Sequence, residues 1–97
     1  MVFLYHKYMN FEFDPTKSAV NKTKHGVDFI QAQVLWDDEN LLALPLRFED
    51  ERRIAYIGCM GGKHWTAIAT CRGKAVRIIS VRRSRDNEVK WYESEGI

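Results

Sequence analysis

Cysteine is scarce in this chain: Cys59 and Cys71 are the only two, and neither belongs to a metal-ligand spacing. That excludes a disulfide framework and a structural zinc motif, and the plain expectation is a reduced, cytoplasmic protein. No apolar run approaches the ~20 residues of a membrane helix, and the opening MVFLYHKY lacks the apolar stretch of a signal peptide. No P-loop or dinucleotide fingerprint occurs, so no cofactor is expected. Repeats, low-complexity tracts and linkers are missing too. With 97 residues, a second core would have too little apolar surface to bury, which leaves one domain.

Net charge is also small, at +2, but its layout is uneven. Six acids and one base lie between Asp37 and Glu51. Six bases and no acid lie between Arg72 and Arg85. A block of like charge is ordinarily a solvated face; carried on strands it also forms a stripe that attracts phosphates.

The local signals are closely spaced. After a short extended stretch, Phe11 to Phe13, Asp14 suits an N-cap and Pro15 the first helical position. That helix runs to about Lys24 and closes at Gly26, which supplies the left-handed residue. Asp28 and Gln31 have capping-box spacing, and FIQAQVLW reads as a second short helix through Phe29, Ala32, Leu35 and Trp36. From Leu41 the period becomes two. LLALPLR is a strand that Pro45 sends to a sheet edge, and RRIAYIGCM and HWTAIATCR flank a Gly61-Gly62 turn. AVRIISVRR follows across Gly73-Lys74, and Ser84 is expected to cap a last helix with Val89 and Tyr92 inward. The expected fold is α+β: two short N-terminal helices, a four-stranded antiparallel sheet and a C-terminal helix.

The two turns set a register. Met60 opposite Lys63 and Arg72 opposite Ala75 put Ile54, Tyr56, Trp65, Ala67, Ala69, Cys71, Val76 and Ile78 on a core face. The other face collects Arg53, His64, Thr66, Thr70, Arg72, Arg77 and Arg83, with Arg82 turned toward the helix side near Trp65. Cys59 and Cys71 fall at opposite ends of the hairpin, too far apart to bridge.

No nucleophile stands with a base. Instead, arginines cluster on an open face, and their planar fork binds two phosphate oxygens at once. RNA transesterification uses the substrate's own 2′-hydroxyl, so positioning and neutralisation of charge at phosphorus do much of the work without a metal. On one stripe of the first helix stand Lys17, Asn21, Lys24 and His25. Its cations either meet the helix dipole or wall the RNA site, and His25 is also placed to bond the last carbonyls. Glu88 and Tyr92, four apart, share a face of the last helix.

Three blocks, FEFDPTKSAVNKTKHGVDF, RRIAYIG and RIISVRRSRDNEVKWYE, resemble in order and spacing the BrnT family of ribonuclease toxins from type II toxin–antitoxin pairs. The resemblance spans Phe11 to Tyr92; Val81 and Ser84 stand where the family commonly has Ala. It implies a RelE-like fold over 1–97, with 1–8 an N-terminal extension and Met9 near the usual start. The implied activity is endoribonucleolytic inhibition of translation, with Arg77, Arg83, Lys24, His25, Glu88 and Tyr92 as catalytic candidates. Arg53, Arg72, Arg82, Thr70 and Lys17 are the substrate-binding candidates. The implied partners are RNA, a BrnA-like ribbon-helix-helix antitoxin, and operator DNA only through the antitoxin complex. A catalytically inert nucleic-acid-binding or regulatory module on the same fold is the alternative.

Overall fold

A five-stranded mixed sheet organises the computed structural model, which describes residues 10–47 and 52–95. The elements in chain order are β1 (Asn10–Glu12), α1 (Pro15–His25), a 3₁₀ helix (Gln31–Asp37), β2 (Leu42–Leu46), β3 (Arg53–Met60), β4 (Lys63–Arg72), β5 (Ala75–Arg83) and α2 (Asp86–Glu95). The expected N-terminal extension and the acids Glu49, Asp50 and Glu51 lie outside the described residues.

Strand order is β1-β5-β4-β3-β2, so Pro45 of β2 does sit on an outermost strand. The four expected strands pair antiparallel in sequence order. The fifth corrects the expected architecture: the short stretch before α1 pairs parallel with β5, with Phe11 beside Val76 and Glu12 beside Arg77. Parallel partners need a crossover rather than a tight turn, so no local signal announces this pairing.

The caps follow the residues. Asp14 accepts the amides of Thr16 at 2.8 Å and Lys17 at 3.4 Å, Pro15 occupies the first turn, and Gly26 closes α1 at φ 82°. Asp28 and Gln31 bond each other's backbone amides reciprocally, at 3.0 and 2.7 Å. The segment after them, expected as a second short helix, is a 3₁₀ helix. Phe29, Ala32 and Leu35 recur every third residue, and three residues per turn aligns them on one ridge, fully buried.

That ridge and Trp36 cover one sheet face through Trp65, Ala67, Ala69, Val76, Ile78 and Val81. Burying each Leu, Ile or Phe contributes about 1.5–3 kcal/mol. Trp36 packs against Phe11 and Tyr56 at ring-centroid distances of 5.0 and 4.9 Å. Cys71, on the same face, runs beyond the helical cover and is exposed; it and Cys59 are free.

α1 lies against the outer edge of β5 past the end of β1. The Asn21 side-chain amide donates to Val81 O at 2.9 Å and accepts Val81 N–H at 3.1 Å, pairing with the strand as a neighbouring backbone would. Ser18 Oγ accepts the Phe29 amide at 2.9 Å, so both buried polar residues of α1 tie it to its surroundings.

The β3–β4 register agrees with the turn-based expectation from Met60–Lys63 to Ile54–Ala69. In β4–β5 it agrees only as far as Ala69–Ile78, where an irregularity between Ile68 and Ala69 inserts one residue. Beyond it Trp65 faces Arg83 and Thr66 faces Arg82. The expected faces of Arg82 and Arg83 are therefore reversed, because one extra residue flips every later side chain.

Candidate nucleic-acid interface

The sheet face opposite the main core divides into two halves. α2 covers the half near the Gly61-Gly62 turn, and the other half is open.

Aligned residues form a row across the open half: Glu12 of β1, Arg77 of β5 and Thr70 of β4, with Arg53 of β3, one step past the Ile54–Ala69 pair, on the same face. At ~4.8 Å per strand the row is ~14 Å long. Arg53, Thr70, Arg72, Arg77 and Ile79 of the sheet and Lys17 of α1 line an open hollow of about 410 Å³. Four cations thus meet one hydroxyl in one concavity. Arg77 has no ion-pair partner among the described residues. Arg72 Nε lies 3.9 Å from Glu12 Oε1, with the arginine side chain mostly in solvent and the glutamate half-exposed, a contact too long and too wet to neutralise the guanidinium. The Thr70 hydroxyl donates to Arg52 O at 2.8 Å, which fixes its oxygen over the hollow's floor.

The covered half holds the opposite arrangement. Arg82 Nη1 and Nη2 donate to Glu88 Oε1 and Oε2 at 2.8 and 2.9 Å, a bidentate pair. Glu88 also accepts the Arg85 amide at 2.8 Å and the Thr66 hydroxyl at 3.1 Å. The Arg82 bonds, helped by that amide and hydroxyl and opposed by burial, hold the Glu88 carboxyl down to about 2. Such a carboxylate is a weak base at neutral pH. Ser84, expected to cap α2, instead meets Thr66 Oγ1 through its hydroxyl at 2.8 Å, and the helix begins at Asp86. Glu88 itself reaches back to the Arg85 amide, as the last residue of a capping box does.

One turn further along α2, the Tyr92 hydroxyl donates to Asp38 Oδ2 at 2.7 Å. The same oxygen accepts the Cys59 amide at 2.8 Å, and Oδ1 accepts the Asn40 amide at 2.9 Å. Burial alone would raise the Asp38 carboxyl, but the Tyr92 hydroxyl and the two amides outweigh it and hold it below its usual value. Burial and the Asp38 carboxylate push the Tyr92 phenol well up, so it stays a neutral donor. Gly58 makes room for this junction: a Cβ there would lie 2.9 Å from Leu41 Cδ1 and 3.2 Å from Asp38 Oδ2. His64 stands edge-on to Tyr92 with ring centroids 5.3 Å apart.

The candidate residues therefore separate. Arg53, Thr70, Arg72, Arg77 and Lys17 come together. Arg82, Glu88 and Tyr92 lie under or in α2. Arg83 sits on the other face, 5.6 Å above the Trp65 ring. Lys24 and His25 are exposed on the last turn of α1, which the Asn21–Val81 bonds point toward the Arg83 end of β5. Lys22, not His25, bonds the helix end: its Nζ donates to Gly26 O at 3.3 Å and to Gln31 Oε1 at 2.9 Å. Sequence reasoning passed over Glu12 and Asp38. Glu12 had a signal, standing inside the FEFD block, whereas nothing separates Asp38 from its neighbours Asp37 and Glu39.

Fold and site together define a small α+β domain with a cationic sheet surface beside a C-terminal helix. Residues 13–88 match the family model described as "Ribonuclease toxin, BrnT, of type II toxin-antitoxin system", and the chain belongs to that family. Comparison with curated proteins gives no match. Membership in a type II family brings with it a protein antitoxin as partner. Among the described residues no helix is long and apolar enough to cross a membrane.

Proposed function

We propose that this chain is an active endoribonuclease that cuts RNA by metal-independent transesterification at the open half of the sheet. The carrying observation is the concavity of Lys17, Arg53, Arg72 and Arg77, in which Arg77, without an ion-pair partner among the described residues, stands beside the fixed Thr70 hydroxyl. Arginines aimed at the phosphate supply the positive charge that the crowded phosphorus needs as it gains a fifth oxygen. The 2′-oxygen attacks, the 5′-oxygen leaves, and the products carry a 2′,3′-cyclic phosphate and a 5′-hydroxyl. Arg83, Lys24 and His25, exposed around the far end of β5, contact flanking parts of the strand. Arg82, Glu88 and Tyr92 position the wall that α2 forms. Translation inhibition in the cytoplasm follows from RNA cutting. Neutralisation falls to a BrnA-like ribbon-helix-helix antitoxin, through which alone the toxin reaches operator DNA.

The test is cleavage of RNA by the purified protein in EDTA, with end-group analysis. Arg77→Ala is expected to lose about 10²–10³-fold in kcat, the usual loss on removing one charge-stabilising donor. Arg83→Ala is expected to keep most of the rate. Activity that needs added metal would overturn the mechanism. RNA binding without cleavage would favour the inert nucleic-acid-binding module.

A further inference from the structure

We propose that Glu12 is the general base of the reaction, taking the proton of the attacking 2′-hydroxyl. The inference rests on RNA cleavage at the cationic hollow and supplies what that hollow lacks, an acceptor for a proton. Guanidinium groups hold their protons throughout the working range, and a hydroxyl is a poor base, so Arg53, Arg72, Arg77 and Thr70 provide none. The Glu88 carboxylate accepts hydrogen bonds from four donors, Arg82 Nη1 and Nη2, the Arg85 amide and the Thr66 hydroxyl, and is committed to them. Asp14 is engaged in capping α1. Asp38 lies toward the covered half, with Tyr92 and two amides.

Glu12 is the carboxylate aligned with the row. Parallel pairing places it directly beside Arg77, on the same face as Thr70 and Arg53. Its side chain is 42% exposed, and its contact with Arg72, at 3.9 Å, leaves lone pairs open toward solvent. The cations beside it are Arg77, its aligned partner on β5, and Arg72 on β4 at 3.9 Å; Arg53 on β3 and Lys17 on α1 line the hollow next to it.

The step balances simply. The Glu12 carboxylate takes the 2′-hydroxyl proton as the 2′-oxygen forms its bond to phosphorus. The bond from phosphorus to the 5′-oxygen breaks, and that oxygen takes a proton from water. Glu12 then returns its proton to water.

The experiment is the pH dependence of kcat and KM on a short RNA, in EDTA, for wild type, Glu12→Gln and Glu12→Asp. In wild type kcat should fall tenfold per pH unit on the acidic side. Glu12→Gln should lower kcat by about 10²–10⁴-fold, the usual range for a general base, with KM changed little, and should abolish the acidic limb. Glu12→Asp should keep the limb at reduced kcat. If Glu12→Gln keeps the limb, or changes only KM or the thermal midpoint, Glu12 merely holds Arg72 and the proposal falls. Wild-type protein that cuts no RNA would instead remove the functional reading itself, and Glu12 with it.

Discussion

Two arginines five residues apart on one strand, Arg77 and Arg82, share a sheet face and differ in almost everything else. Arg77 stands in an open concavity with three other cations and no ion-pair partner among the described residues. Arg82 is gripped by both oxygens of a buried carboxylate that also receives an amide and a hydroxyl. An arginine whose donors are spent on protein oxygens has few left for a phosphate. One whose donors face solvent among like charges is poised for an anion. The difference lies in α2, which brings Glu88 to one half of the face and leaves the other bare.

The comparison breaks most visibly at Glu88. Glu88→Ala leaves a largely buried guanidinium, a hydroxyl and an amide without their acceptor. It should cost about 3–5 kcal/mol in urea unfolding, as removing one member of a buried pair does. Cleavage per folded molecule should fall far less than in Arg77→Ala. A Glu88→Ala protein that folds normally yet cuts no RNA would move Glu88 from the scaffold into the chemistry.

Acid titration probes the same pair without changing shape. The Glu88 carboxyl is lowered from 4.5 to about 2, so its folded-state contribution is complete above pH 4.5 and fades as pH falls toward 2. With one pK unit worth about 1.4 kcal/mol, the loss across that window is on the order of 3 kcal/mol. Glu88→Gln should flatten this part of the stability curve. An unchanged curve would mean that the pair is not what holds α2.

The division between the two arginines was invisible in the sequence. Turn residues fixed the β3–β4 register, so the Cys59–His64 pairing and the core face through Ala67 and Ala69 could be read directly. The irregularity near Ile68 carries no glycine or proline, and Ile79 fits either register, so nothing marks the inserted residue that exchanges Arg82 and Arg83. β1 is three residues long and pairs at a distance in the chain, which left Glu12 without a neighbour until Arg77 was seen beside it. Caps are local and were largely legible; parallel pairing and strand irregularities depend on tertiary context and were not.

The smallest effect concerns the second anchor of α2. Tyr92→Phe removes the hydroxyl that reaches Asp38 at 2.7 Å while keeping the ring against His64. Asp38 keeps the amides of Cys59 and Asn40, so the carboxylate is not left bare. The cost should be about 1.5–3 kcal/mol, the value of a hydrogen bond to a charged group, and each kcal/mol shifts the thermal midpoint of a domain this size by about 4–8 °C. Asp38→Asn should cost a similar amount, and the double variant should cost less than the sum, because the two act through one bond. Cleavage should hardly respond, since this junction belongs to the covered half of the face. If Tyr92→Phe instead lowered kcat without lowering the melting temperature, the covered half would take part in the reaction, and the contrast between the two arginines would no longer separate scaffold from site.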